Sequence, residues 1–401
     1  MEKYKDEFGI EYFLPFYPLL VQYNIGPTSL GNIILIIIAL YTLIKQKCII
    51  KIKPEYKYFI LFIIYAVFRD ILKMIIMMDY SRTYVNRITE YVIVFFAVLI
   101  VCNKEFNEDK LYFTWKIAAS IYFLGLIFQM IKLYVLGHPI MPISIIPSYS
   151  LRAEDMVATF RPSSFFSEPA AFVSAILPLE FLTLKNKEIK WAIIVTFFAL
   201  CSTSTVGIIL SVVLWSCFLF SRTETIKTKI AVLVSAIIII ALFTNLDIFS
   251  ASLSKLLDVS SGGSTFESRI AVGFDIIKTQ PIETLFFGTN YSEASSYIAQ
   301  NINKFASTSS VLVYYRAQVV FLNTFSRVVF MYGFVGILLF YLPLIKALRT
   351  PEYSAKSYII MIIVATFAQT MLLNAAYFTM IVMVISFLIN VTRKERRKCK
   401  K

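Results

Sequence analysis

A single histidine, His138, occurs in the 401 residues, and it stands directly before a proline. Metal sites built from several imidazoles are therefore excluded, and a Ser-His-Asp arrangement would have one candidate base. Neither a G-x-x-x-x-G-K-[ST] loop nor a D-x-D occurs. The first absence removes a P-loop ATPase, and the second argues against a metal-held nucleotide sugar. No metal and no other cofactor is expected. Cysteine is scarce: Cys48, Cys102 and Cys399 fall at predicted cytoplasmic loops and Cys201 and Cys217 in apolar segments, so no structural disulfide is expected. Acids are short too, 25 against 39 lysines and arginines, for a net charge of +14. In a soluble protein that excess would suggest nucleic acid, so its placement decides the matter.

What the chain has in abundance is apolar sequence: 58% hydrophobic residues, 16% aromatic, mean hydropathy +0.72. Runs such as LGNIILIIIALYTLI, YVIVFFAVLIVC, IAVLVSAIIIIALF and YIIMIIVATFAQTMLL are long enough to cross a hydrocarbon layer of roughly 30 Å as helices. The period-2 alternation of a barrel is absent, and a backbone in lipid must then satisfy itself as helix. More than half of the lysine and arginine lies in KQKCIIKIKPEYK, NKEFNEDK, KNKEIK, SRTETIKTK, KALRTPEYSAK and TRKERRKCKK. These fall at every second loop, which the positive-inside bias assigns to the cytoplasm. No nucleic-acid partner is expected.

The expected fold class is all-α, a single polytopic membrane domain over residues 1–401 with about 11–12 transmembrane helices. Eleven are expected over 30–45, 58–78, 86–102, 111–136, 168–184, 191–202, 204–220, 230–247, 323–345, 357–373 and 375–391. GIEYFLPFYPLLVQYN is either a twelfth span or an interfacial segment, since it carries Glu11, Pro15 and Pro18. The mixed charges of MEKYKDEFGI, with no A-x-A after them, predict no cleaved signal peptide. The 30 residues from Trp191 to Phe220 have STST at their middle. Charge placement predicts two short helices meeting at Ser202–Thr205 and a polar cavity there, because broken helices are tolerated where they line one.

Two long outer segments remain, 137–167 and 248–322. The second carries Arg269, Asp275, Lys278, Glu283, Glu293 and Arg316, and a partly helical lid is expected there. Arg82, Arg87, Arg152, Arg161, Arg269, Arg316 and Arg327 outnumber lysine on the outer side. Guanidinium offers a fixed fork of donors suited to phosphate and carboxylate, although outer arginines also pair with acids or snorkel. Arg69, Asp70 and Lys73 interrupt one span and Arg87 and Glu90 begin the next; an Arg69–Glu90 structural pair and a ligand site are both open. In FRPSSFFSEPAAF, Pro162 and Pro169 prevent one continuous helix. Glu168 should therefore stand at the start of AAFVSAILPLEFL, near Arg161, either simply stabilising a helix end or serving a site.

RPSSFFSEPAAF resembles the R-x-x-G-x-F-x-E-P pattern of the Wzy-type O-antigen polymerases, with Ser164 where glycine is usual. Residues 268–290 resemble that superfamily's outer-loop arginine followed by P-x-x-G-x-G, through Arg269, Pro281 and Gly288, with Asn290 in place of the last glycine. NTFSRVVFMYGFVG is similar to the [HN]-N-x9-G-x-x-G signature shared with O-antigen ligases, through Asn323, Gly333 and Gly336, with Leu322 where the ligases carry histidine. These glycines also suit close helix approach.

The resemblance implies a GT-C-like, metal-independent glycosyltransferase in the bacterial cytoplasmic (inner) membrane, its active site facing the periplasm or outside. It would join undecaprenyl-pyrophosphate-linked oligosaccharide repeat units, as donor and acceptor, into O-antigen of lipopolysaccharide or a related surface polysaccharide. Membrane lipid and a polysaccharide chain-length regulator are the other implied partners. Arg161, Arg269 and Glu168 are the expected catalytic residues, with Glu168 orienting Arg161 or acting as base; Arg152, Asn323, Arg327 and Arg316 are the expected substrate-binding residues. A flippase for lipid-linked oligosaccharide, or an O-antigen ligase, is the alternative.

Overall fold

The computed structural model describes residues 9–25, 28–47, 56–78, 82–102, 107–145, 161–221, 225–227, 229–230, 270–291, 293–305, 309–316, 320–349, 353–372, 374 and 376–385. The expected span 230–247 lies almost wholly outside the described residues, and Arg152 and Arg269 lie outside them altogether. Within them the chain is mostly helix. A two-residue antiparallel pair, Asn24 opposite Ser29 and Ile25 opposite Thr28, is the one sheet among the described residues.

Among the described residues three helices are long and apolar enough to cross a membrane: Val85–Cys102, Glu108–Val135 and Thr324–Leu348. Lys57–Met77 has 21 residues, but Arg69, Asp70 and Lys73 interrupt it. Shorter helices occupy Leu30–Lys45, Pro169–Lys185, Ile189–Cys201, Thr205–Leu219, Tyr353–Ala368 and Ala376–Ile385. Their ends are written locally. Ser29 and Asn107 accept from the amides of Asn32 and Lys110 as N-caps, and Pro169 fills the first helical position. On the Glu108–Met130 helix Phe113, Ile117, Ile121, Leu124 and Phe128 are exposed while Leu111, Trp115, Ala118, Tyr122 and Leu126 are buried. Both faces are apolar, so one packs in the protein and the other suits lipid rather than water.

The chain falls into two compact units. The first comprises residues 1–56, 89–207 and 375–401. Its core sits where the Pro169–Lys185 helix packs on Ile189–Cys201 and Glu108–Met130; Trp115 Nε1 donates to Ala175 O (2.9 Å) and Phe123 stacks on Phe198 at 4.2 Å. Lys185 with Glu108, and Lys116 with Glu188, tie two of the basic loops together. Residues 10–23 are not one helix. Ile10–Phe13 and Tyr17–Leu20 are separate turns, broken by the prolines. They follow the Glu108–Met130 helix from its N-terminal end: Glu11 accepts from Asn107 N (2.8 Å), and Tyr122 donates to Pro15 O (2.9 Å). Gln22 then accepts from Ser167 N (2.6 Å).

The second unit comprises residues 57–88 and 208–374. The Thr324–Leu348 helix is its centre, packed by Lys57–Met77, Tyr353–Ala368 and the short Ile282–Phe287 helix. Phe62 sits edge-on to Tyr332 and Phe340, and Phe325 stacks between Phe274 and Phe367. The described part of 248–322 is a chain of short helices, Val272–Lys278, Ile282–Phe287, Ala294–Gln300 and Ser309–Arg316, with a 3-10 turn at Ile302–Phe305.

Candidate functional site

The Thr324–Leu348 helix is broken in its N-terminal half. Asn323 caps its start, accepting from Ser326 N (2.8 Å), and Gly333 then takes φ 66° and ψ −163°, a conformation nearly restricted to glycine. The break frees three successive carbonyls from helical partners, and buried carbonyls must be satisfied. Each is. Phe330 O accepts from Thr289 N (2.8 Å) and Thr289 Oγ1 (3.1 Å), Met331 O from Lys73 Nζ (2.5 Å), and Tyr332 O from the Tyr65 hydroxyl (3.0 Å). The Phe286–Gly288 backbone lies against the break so closely that a Cβ on Gly333 would meet Phe286 C and O at 2.4 Å and Gly288 N at 2.5 Å. A Cβ on Gly288 would meet Met331 O at 2.2 Å. Two glycines from separate sequence motifs therefore meet backbone to backbone.

Behind this break stands a buried charge cluster. Asp70 accepts from Arg87 Nε (2.7 Å), Arg87 NH2 (3.3 Å) and the Tyr332 hydroxyl (3.1 Å), with Lys73 Nζ at 3.9 Å. Arg69 NH2 donates to Gly288 O (3.1 Å), and Arg69 Nε has no hydrogen-bond partner among the described residues. Asp70 thus holds two cations, Arg87 and Lys73, and Arg69 from the same helix turns to the Gly288 carbonyl, all beneath apolar surface, where charge acts over a longer range than in water. Arg87 is held by Asp70, and Arg69 is directed to Gly288 O.

In front of the break lies a pocket of about 270 Å³, lined by Glu293, Ala294, Ser295, Val320, Phe321, Leu322, Arg327, Phe330, Met331 and Thr370. Met331 joins pocket and cluster: it lines the former, its carbonyl holds Lys73, and its Sδ is 4.0 Å from Arg87 NH1. Arg327 is half-buried, and its guanidinium has no protein partner among the described residues. Glu293 is exposed, and Ser295 Oγ, 3.4 Å from its Oε2, is its carboxylate's partner there. The two opposite charges line one pocket without pairing. An anion facing Arg327 and a hydroxyl facing Glu293 are what such a pocket can hold.

The first unit carries the other motif. Arg161 donates from Nε to Thr203 Oγ1 (3.2 Å) and from NH2 to Thr203 O (2.8 Å). Its guanidinium thereby reaches the Ser202–Ser204 break, where the two short helices meet as expected. In place of an open cavity, the break's hydroxyls are buried and engaged: Ser202 Oγ donates to Ala199 O (2.7 Å), Ser204 Oγ accepts from Gly207 N (3.3 Å), and Thr203 holds the arginine. Gln129 accepts from the amides of Ser163 (2.9 Å) and Ser164 (2.6 Å). Ser164 has φ 59°, the left-handed region that favours glycine, at the position where the resembled pattern has glycine. Glu168 is the N-cap of Pro169–Lys185, but its side chain makes no cap hydrogen bond. Its carboxylate has no partner among the described residues, so the expected contact with Arg161 is not formed.

Of the expected substrate-binding residues, Arg327 lines the pocket and Arg316 ends the Ser309–Arg316 helix, exposed. Asn323 is fully buried, with Oδ1 engaged as the cap of the broken helix; it shapes the pocket rather than lining it. Sequence reasoning did not assign Glu293, Thr370 or the Asp70 cluster to a site. The cluster had a signal, three charges in one span; Glu293 was one acid among several in a polar loop. No family model, curated protein or solved structure matches the chain.

Proposed function

We propose that the chain is an oligosaccharide repeat-unit polymerase. It is a polytopic enzyme of the bacterial cytoplasmic membrane, with 11–12 crossings and a GT-C-like arrangement. It transfers a growing glycan from its undecaprenyl pyrophosphate to the distal sugar hydroxyl of a new lipid-linked unit on the outer side. The observation that carries this reading is the pocket at the broken helix, where Arg327 and Glu293 face common space in front of a buried cluster of net positive charge. The bond to be broken joins sugar C1 to a pyrophosphate oxygen, and its leaving group is a polyanion. Guanidinium and ammonium groups stabilise that charge without a metal. Backbone broken at membrane depth is tolerated where it lines such a cavity. Arg269 is a further cation for the donor pyrophosphate and Arg316 lies on its approach, while the roles of Arg161, Glu168 and Arg152 rest on the sequence pattern alone. Deletion of the chain, followed by separation of surface glycans by length, tests the reading. Loss of long chains with a single unit still attached to the normal acceptor supports it. Unattached polymer would indicate a ligase, and absence of outer glycan a flippase.

A further inference from the structure

Resting on the polymerase reading, the pocket also divides the labour of the transfer between two side chains. Most described carboxylates inside the protein are already occupied. Asp70 holds Arg87, Glu180 Oε1 accepts from Thr196 (2.8 Å), Glu11 accepts from Asn107 N, and Glu108 and Glu188 hold lysines. Glu293 is the acid that lines the pocket, and its one neighbour there, Ser295 Oγ at 3.4 Å, leaves an oxygen open. The wall beside it, Phe321, Leu322, Phe330 and Met331, is apolar, while Thr370 and Ser295 add hydroxyls. A sugar ring offers the same pairing, apolar C–H faces and polar edges. A carboxylate at that edge repels an acidic sugar.

We infer that Glu293 is the general base for the acceptor and that the sugar it meets is uncharged. The acceptor hydroxyl gives its proton to a Glu293 carboxylate oxygen as the hydroxyl oxygen bonds to the donor sugar's C1. The C1–O bond to pyrophosphate breaks, and its electron pair leaves with the pyrophosphate, facing Arg327. No oxidant and no metal is needed for the balance. Glu168, outside this pocket's lining, is not the base.

The test uses the full chain in phospholipid vesicles with undecaprenyl-pyrophosphate-linked repeat units extracted from a host lacking it. A base contributes about 10²–10⁴-fold, so Glu293→Gln should slow elongation at least about 100-fold. Binding of undecaprenyl pyrophosphate should be unchanged, and added formate should restore part of the rate of Glu293→Ala. Glu283→Gln, at an exposed acid outside the pocket's lining, should keep the wild-type rate. Wild-type elongation with an undiminished Glu293→Gln rate overturns the inference and leaves the polymerase reading intact. Slow variants with lost carrier binding and no response to formate overturn it as well, because Glu293 would then be structural. A wild-type chain that never elongates overturns the reading on which it rests.

Discussion

Replacing Gly333 by alanine puts a methyl group where two backbones already touch. The position has φ 66° and ψ −163°, and holding an L-residue in that region costs about 1–3 kcal/mol. The new Cβ would also lie 2.4 Å from Phe286 C and O and 2.5 Å from Gly288 N. These are backbone atoms, so no rotamer change relieves the overlap, and separation adds about 1–3 kcal/mol. The loop must then withdraw from the broken helix, taking with it the Thr289 N–H bond to Phe330 O (2.8 Å). Gly137→Ala serves as control, since Gly137 has φ 68° with nothing within 4 Å of its would-be Cβ and pays only the left-handed term of about 1–2 kcal/mol. Thermal unfolding in detergent should rank Gly333→Ala well below both Gly137→Ala and wild type. Hydrogen exchange of the 286–290 peptide should accelerate in Gly333→Ala and stay slow in the control. Equal unfolding losses, with Thr289 still protected, would refute the reasoning that glycine is required by this backbone contact.

Asp70→Asn removes a carboxylate shared by Lys73 and Arg87 and should destabilise by about 3–5 kcal/mol, as loss of one partner of a buried ion pair does; Asp70→Asn with Arg87→Met should recover a good part, read by unfolding midpoint. Arg161→Ala should abolish long-chain glycan while the protein stays in the membrane, and Arg161→Lys should rescue only partly, since an ammonium cannot reproduce two directed bonds to Thr203. The Lys116 ammonium, 2.5 Å from Glu188 Oε2, holds that carboxyl below its usual range. Its stabilisation is therefore present above the unfolded carboxyl's pKa and is lost as pH falls through the lower folded value; Glu188→Gln should flatten that part of the acid-unfolding curve. Single cysteines at Asn186 and Thr225, in a cysteine-free background, should react with an impermeant thiol reagent from the same side, as the basic loops require.

Helices were legible in the sequence because apolar runs and basic loops are local signals. The expected 30–45 and 58–78 agree with Leu30–Lys45 and Lys57–Met77 to within a residue. The Ser202–Ser204 break was legible from charge placement alone. Its filling was not, because Arg161 reaches it from 42 positions away in the chain. Tertiary partners of polar groups carry no local signature. Thus the motif glycines Gly288 and Gly333 could be named in advance, but not their contact, and Arg327 could be named without Glu293. Residues 10–23 were ambiguous because two prolines break a segment that the Glu108–Met130 helix nonetheless supports.

The most direct measurement is elongation by the purified chain in vesicles, with lipid-pyrophosphate-linked repeat units as sole substrate and chelator present, products resolved by length. The account predicts a ladder of polymer from wild type, and from Arg327→Ala carrier-linked single units with little or no ladder. A wild-type reaction that leaves only single units, or an Arg327→Ala ladder equal to wild type, would contradict it.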